Sequence, residues 1–330
     1  MIQNAGGPID RRTFVGGAFA GMSILGLNAQ PTRPLAGATP MREFGKTGVK
    51  LTIVGQAGAR LALTRNKDVA RDQVRHAYEL GLNYFDCARA YWSGHSEEVY
   101  GDVLSGVRKE VFITTKSTHR SREGAEKDLA LSLAALKTDY IDLWQVHGIK
   151  DQEDVGKAFG PGGAIEAFEA AKKAGKARFI GFTGHSNPNV HVAMLKAYDK
   201  WDSILMPLHA ADPAYLSFQE ITLPLAVQRG IGVQAMKIFG NAFLLRVLSV
   251  EECLKYALSL PIHCAATGCS STGQLDDNVR IAQNFKPYTP VEMQEIARLA
   301  VTAGPGGLKG AALEYWKDGG GATFQNGVWK

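Results

Sequence analysis

Tyr140-Ile141-Asp142-Leu143-Trp144-Gln145-Val146-His147 is crowded with apolar and aromatic side chains and reads as a β-strand over 141–147. Strand alternation turns Gln145 and His147 to one side and Trp144 to the other, so Trp144 is expected to pack against helices. Similar short runs lie on both sides of it, near 52–57, 82–86, 111–115, 177–183, 203–207, 232–236 and 262–268. Their starts recur about every 30 residues, the length of one strand-helix unit. The segments between them, 67–80, 96–105, 125–136, 163–174, 189–198, 217–229, 250–258 and 274–284, carry apolar residues at helical spacing. Ser96 before Glu97 and Glu98, and Ser249 before Glu251 and Glu252, place acceptors and negative charge at expected helix starts.

Eight alternations of strand and helix predict an α/β fold, a (β/α)8 TIM barrel. Residues 41–51, with Gly45-Lys46-Thr47-Gly48 as the turn, read as a β-hairpin that plugs one end. Beyond the eighth unit, a helix over 290–302 and a Gly-rich tail over 304–330 form a C-terminal extension. That tail holds Tyr315, Trp316, Phe324 and Trp329, an aromatic set able to cover an active-site mouth.

At 330 residues, with 45% hydrophobic and 21% charged residues, the chain is neither disordered nor of low complexity. The net charge is +5, and residues 1–40 contribute Arg11, Arg12 and Arg33 against Asp10. The near-neutral remainder argues against a nucleic-acid partner. Cys87, Cys253, Cys264 and Cys269 form no CxxC pair and no metal-finger spacing.

Asp10-Arg11-Arg12-Thr13-Phe14 precedes an uncharged run of small and apolar residues, 15–27, that is too short to span a membrane. The basic pair, the short apolar region and the small residues after it are organised like a cleavable export signal, and the arginine pair resembles a twin-arginine signal. Residues 1–38 are therefore expected to be signal and linker, and 39–330 a single barrel domain. The expected partner of the leader is the twin-arginine export machinery, the expected location is the periplasm, and no stable membrane span is expected.

In such a barrel the working residues sit at the C-terminal ends of the strands and in the loops that follow. Asp86 ends the second strand, Tyr91 lies in the next loop, Lys116 ends the third strand and His147 the fourth. The four make sense as one unit. A free phenol, with a pKa near 10, is a poor acid or base at neutral pH. A lysine ammonium beside it is expected to lower that value, with an aspartate holding the lysine charged. Tyr91 then protonates a carbonyl oxygen as a hydride reaches carbon, and His147 orients that oxygen.

Asn83-Tyr84-Phe85-Asp86 with Ala90-Tyr91 and Ser96-Glu97-Glu98, Phe112-Ile113-Thr114-Thr115-Lys116, the stretch from Thr138 to His147, and the stretch from Gly175 to Thr183 closely resemble the aldo-keto reductase family. The resemblance runs over about 41–285, and Asp86, Tyr91, Lys116 and His147 match the family tetrad in order, type and approximate spacing. It implies an extended NADP, with NAD the other candidate, and interconversion of aldehydes or ketones with alcohols on a small-molecule carbonyl substrate.

For the cofactor, the resemblance points to Thr183 and Gly184 after strand five, Leu205 on strand six, Met236 and Lys237 at the end of strand seven, and Gly268, Ser270, Ser271, Gln274 and Asn278 after strand eight. Met236 stands where the family usually has an aromatic ring, with Lys237 beside it as a candidate for a cofactor phosphate. Gly268 and Gln274 stand where it commonly has basic residues that grip the 2′-phosphate, so weak NADPH-over-NADH discrimination is expected. The substrate walls are expected from Trp92, His119, His185, His209 and the aromatic tail. An exported enzyme with no fresh cofactor is expected to keep its dinucleotide and recycle it in place.

Two rivals use other features. His119, His147, His185 and His209 follow strands three to six and could bind zinc for hydrolysis. However, 52–58 offers no His, Asp or Glu, and that reading leaves Tyr91 and Lys116 unexplained. A nucleotide-sensing barrel without turnover has no need of an intact tetrad.

Overall fold

Strand β6 (Ile141–Val146) sits in a closed barrel between β5 (Phe112–Ser117) and β7 (Ala177–Thr183). The barrel continues through β8 (Ser203–Pro207), β9 (Gly232–Met236), β10 (Cys264–Thr267), β3 (Val54–Ala57) and β4 (Tyr84–Asp86), with every neighbouring pair parallel. This is the eight-stranded (β/α)8 barrel expected from the repeat. The computed structural model describes residues 37–303 and the backbone of the short strands β11 (Phe324–Gln325) and β12 (Val328–Trp329). The export-signal reading of the leader, and the glycine-rich stretch with Tyr315 and Trp316, lie outside the described residues.

The hairpin is β1 (Met41–Glu43) with β2 (Lys50–Thr52), in the register Met41↔Thr52. It closes the N-terminal end of the barrel. The Lys46 N–H donates to Gly230 O, and the Arg42 guanidinium donates to Ile262 O and Leu258 O at 2.6 and 2.8 Å. The Phe44 ring, fully buried, enters the barrel edge-on to Phe112. One expected strand thus divides: 52 ends the hairpin, and the first barrel strand starts at 54.

The helices outside are α1 (Lys67–Glu79), α2 (His95–Leu104), α3 (Arg122–Ala135), α4 (Gln152–Phe159), α5 (Ala164–Lys173), α6 (Pro188–Ala197), α7 (Phe218–Ile221), α8 (Leu223–Gln228), α9 (Val250–Ser259), α10 (Thr272–Gln283) and α11 (Pro290–Ala300). Three differ from expectation. The single helix over 217–229 is two, because Pro224 supplies no backbone N–H and Thr222 turns its hydroxyl to Pro188 O. An extra helix, α4, fills the fourth connection and is capped by Asp151. Ser96 does not cap α2: Gly94 does, and the Ser96 hydroxyl reaches Gly58 O instead. Ser249 behaves as expected and forms a capping box with Glu252.

Two cores result. The larger lies between strands and helices, where Trp144 stacks on Phe168 with centroids 3.7 Å apart, on the helix side as alternation requires. The smaller fills the barrel with Phe44, Leu51, Tyr84, Phe112, Leu143, Leu205 and Cys264. All four cysteines are buried and unbonded. Among the described residues no helix is long and apolar enough to cross a membrane.

Candidate active site

Parallel pairing of β4, β5 and β6 carries three of the four expected residues to one rim. Lys116 is fully buried, and its Nζ donates to both Asp86 carboxylate oxygens, at 2.7 and 2.8 Å, and to Cys87 O. The same ammonium lies 4.9 Å from the centroid of the Tyr91 ring. Tyr91 in turn meets His147 edge to face, centroids 5.6 Å apart. All four members of the expected set therefore form one cluster.

A polar chain through the barrel interior holds Asp86 from below. Tyr84 Oη donates to Asp86 at 3.2 Å, Gln234 Nε2 donates to Tyr84 Oη at 2.9 Å, and Gln145 Nε2 donates to Gln234 and to Ser203. Buried polar groups paired in this way fix their neighbours' geometry.

Tyr91 is held by a strained loop. It opens a 3-10 turn, Tyr91–Gly94, in which Trp92 and Ser93 take left-handed backbone angles and Gly94 has φ +91°. A Cβ at Gly94 would collide with the Arg89 guanidinium, which fills that space. Arg89 is pinned by Glu97, fully buried in the first turn of α2, with an N–O distance of 2.5 Å. Glu97 also accepts from Thr115, one residue before Lys116. The loop bearing the phenol and the strand bearing the lysine thus share one carboxylate.

The electrostatics differ from expectation in one respect. Burial, then the Asp86 carboxylate, push the Tyr91 phenol well above its ordinary value, so it does not sit lowered beside Lys116. The reason is geometric: the lysine charge is already matched by both Asp86 oxygens. His147 is lowered to about 3, by burial first and then by Lys116 and Arg120, and its ring is neutral at physiological pH. Its Nδ1 is buried without a hydrogen-bond partner.

A cavity of about 810 Å³ starts at Asp86, Tyr91 and His147 and runs across the rim to α10. Of the residues expected at the cofactor, Met236, Lys237, Gly268, Ser270, Gln274 and Asn278 line it, as does Leu205. Thr183, Gly184 and Ser271 do not. The Thr183 hydroxyl is buried, Gly184 lies against the His191 ring, and Ser271 caps α10 by accepting from the Gln274 N–H. Among the expected substrate walls, His185 lines the cavity, whereas Trp92, His119 and His209 are not part of its lining. Trp92 packs edge-on against His95. His119 faces Asp128, with its side chain 54% exposed, and His209 is buried.

The four histidines do not converge. Among the described residues no cluster of three or more His, Cys, Asp or Glu is placed to hold a metal, which leaves the zinc reading without a ligand set.

Sequence reasoning missed Arg60 and Asn241, both of which line the cavity. The available signal was a lone arginine in the apolar loop after the first barrel strand, Ala57-Gly58-Ala59-Arg60-Leu61.

The Aldo/keto reductase family model matches residues 55–252, more than half of the chain. The chain belongs to the aldo/keto reductase family. Among curated relatives it is 32% identical over 176 residues to YqkF of Bacillus subtilis, an uncharacterised oxidoreductase, covering 50% of this chain and 53% of that one. It is 30% identical over 159 residues to the NADP(+) aldo-keto reductase yakc of Schizosaccharomyces pombe, covering 44% and 45%. The matches span about half the length of these relatives. In three dimensions it is similar to the holo form of an aldo-keto reductase from Bacillus halodurans, with a TM-score of 0.68 and 26% identity over 79% of this chain and 96% of that one.

Proposed function

We propose that this aldo/keto reductase is an NADP(H)-dependent carbonyl oxidoreductase that interconverts aldehydes or ketones and alcohols. The observation that carries this reading is Lys116, clamped on Asp86 beneath the Tyr91 ring and beside His147, at one end of a cavity of about 810 Å³ that runs to α10. The residues present fit such a cofactor. Met236 and Leu205 give an apolar place near the tetrad, Arg60 and Lys237 give positive charge further along, and the start of α10 with Ser270 gives polar donors. Bound there, the cofactor supplies or accepts the hydride.

The chain's own residues govern the proton. Tyr91, kept protonated by burial, hands its phenolic proton to the carbonyl oxygen during reduction. His147, kept neutral, donates an N–H that orients the same oxygen without adding a positive charge. Lys116 and Asp86 hold a fixed pair of charges under the phenol, and the Arg89–Glu97 bridge keeps its loop in place. Titrating the purified protein with NADPH and NADH and following tryptophan fluorescence tests the reading. Saturable quenching by at least one dinucleotide is expected, and none with either rules the reading out.

Residues 1–38 we read as a twin-arginine export signal and linker, on the strength of Arg11-Arg12 and the uncharged run after them. In this reading the protein folds before export, works in the periplasm and retains its dinucleotide, recycling it between an alcohol and a carbonyl. Retention for about an hour needs a Kd near 10⁻¹⁰ M at an on-rate of about 10⁶ M⁻¹s⁻¹. Protein purified from the periplasm should release stoichiometric dinucleotide on denaturation; empty protein that binds it weakly discards the retention.

A further inference from the structure

We propose that Arg120 is the positioning residue of His147: its guanidinium ends β6 at that histidine and so holds the imidazole against the Tyr91 ring. This rests on the carbonyl-oxidoreductase reading above and adds the group that places the second polar contact to the substrate oxygen.

Strand pairing brings the arginine there. β5 and β6 are parallel neighbours, in the register Lys116↔Gln145 and Ser117↔Val146, so the residues just beyond their ends meet at one rim. The His147 N–H donates to Ser117 O at 2.8 Å and extends the ladder by one step. Arg120, three residues on from Ser117, takes the other backbone group of the same histidine. Its Nη2 donates to His147 O at 2.9 Å and to Gly148 O at 3.1 Å. Both polar backbone groups of His147 are therefore held, one by the end of β5 and the other by the loop that leaves it.

The pair of carbonyls is the observation that carries the proposal. Along an extended strand successive carbonyls point to opposite sides, and one donor does not reach both. Here it does, because Gly148 has φ +66° and turns the chain out of the strand directly after His147. A Cβ at Gly148 would have no atom within 4 Å, so it is the left-handed backbone, not lack of space, that calls for glycine. The next residue is fixed again, as the Ile149 N–H donates to Thr183 O at 2.8 Å. His147 thus sits on a bend that is held at three successive residues.

Arg120 is itself built in. Its side chain is 13% exposed, and Asp154, 14% exposed on α4, accepts from the same Nη2 at 3.2 Å and from the Lys150 N–H at 3.2 Å. Nη1 donates to Thr118 O at 3.0 Å. The extra helix α4 therefore carries the carboxylate that keeps the guanidinium on the two carbonyls. Thr118, His147 and Gly148 line the cavity and Arg120 does not, so the arginine acts through the residues that it holds. Its charge works in the same direction: after burial and Lys116, it helps to keep the imidazole neutral.

The test separates positioning from folding. Rates of carbonyl reduction, and NADPH Kd by fluorescence quenching, are read on wild type, on Arg120→Met, which keeps the aliphatic stem, and on Arg120→Lys, which returns an ammonium to the two carbonyls. Circular dichroism confirms folding. Arg120→Met is expected to lower kcat about tenfold or more with NADPH Kd within about twofold of wild type, and Arg120→Lys to recover part of the loss. The same Arg120→Met change made on His147→Ala is expected to cost less than about twofold, because no imidazole is left to place. A loss of equal size on both backgrounds makes the arginine a general structural support and overturns the proposal, as does wild-type kcat in Arg120→Met. Should Arg120→Met not fold, Arg120→Gln takes its place with the same expected outcomes. Hydrogen exchange by mass spectrometry reads the bend without turnover. Exchange in peptides covering 147–150 should rise in Arg120→Met while β9 and β10 stay as in wild type, and no local change overturns the proposal. If wild type reduces no carbonyl, the oxidoreductase reading falls by itself, and exchange still decides whether Arg120 holds the His147 bend.

Discussion

Tyr91 and His147 meet edge to face at 83°, with ring centroids 5.6 Å apart, although one sits on a strained loop after β4 and the other just past β6. Neither ring is charged near neutral pH: burial raises the phenol and lowers the imidazole to about 3. The arrangement is thus set to give a proton rather than to take one. Tyr91→Phe should lower kcat for carbonyl reduction by about 10²–10⁴, the usual reach of one general acid, and leave dinucleotide Kd nearly unchanged. In wild type, reduction should be flat from about pH 6 to 9, where Tyr91 stays protonated, while alcohol oxidation, which needs the phenolate, should climb with pH. Steady-state rates in both directions check this, and near-normal turnover by the Phe variant would remove Tyr91 from the role.

Asp86 and Lys116 are buried together, so removing one strands the other. Asp86→Asn leaves an uncompensated ammonium at a fully buried site and should cost about 3–5 kcal/mol of stability. Asp86→Asn combined with Lys116→Met removes both charges and should recover much of that loss without recovering activity. Urea unfolding alongside activity separates the two roles; a double variant no more stable than the single would mean that the pair's charges are not what matters.

His147 and His191 both have native values of about 3. A depressed histidine binds fewer protons when folded than unfolded, so its contribution is complete above about pH 6.5, the unfolded value, and is lost as pH falls toward 3. His191 lies between the Phe182 and Phe218 rings with both nitrogens buried and unpartnered. His191→Leu should therefore flatten the acid side of the stability curve, measured by melting temperature from pH 7 to 4. A curve parallel to wild type would count against this.

Lys237 is lowered to about 7, by burial first and then by Arg60. Among the described residues, Arg60 and His185 on the β7 side act on it electrostatically, and Asp277 on α10, itself paired with Arg280, lines the same cavity. A bound anion favours the ammonium, so dinucleotide binding should take up a proton near pH 7–8, and affinity should fall as pH rises past 7. Calorimetry in buffers of different ionisation enthalpy reads that proton directly. Lys237→Arg, charged throughout this range, should abolish the uptake.

The barrel was legible because each unit repeats the same pattern, and the tetrad because three of its members lie at the ends of successive strands and Tyr91 in the loop just after the first of them, where chain order becomes spatial order. Helix ends were less legible. Ser96 looked like a cap, but the helix starts one residue earlier with Gly94 at its N-cap, so Ser96 lies inside the first turn and donates its hydroxyl to Gly58 O. Thr183 and Gly184 were placed at the cofactor by resemblance, and the structure keeps them out of the cavity lining. Arg60 escaped notice because a lone arginine in an apolar loop is only a weak local mark. Its side chain lies against Gly268, 208 positions away in sequence, a relationship that only barrel closure creates.

The sulfur inventory bears on where such a molecule can live. Burial pushes the thiols of Cys87, Cys253, Cys264 and Cys269 upward, to about 12 for Cys253 and about 11 for Cys269, so thiolate, the form that oxidants attack, is scarce. None is spent on a cross-link, and Cys87 and Cys264 are walled in completely. The folded chain therefore holds together without a disulfide, and its thiols are poor targets for oxidants. The four thiols are thus shielded in the same state whether the surroundings are reducing or oxidising.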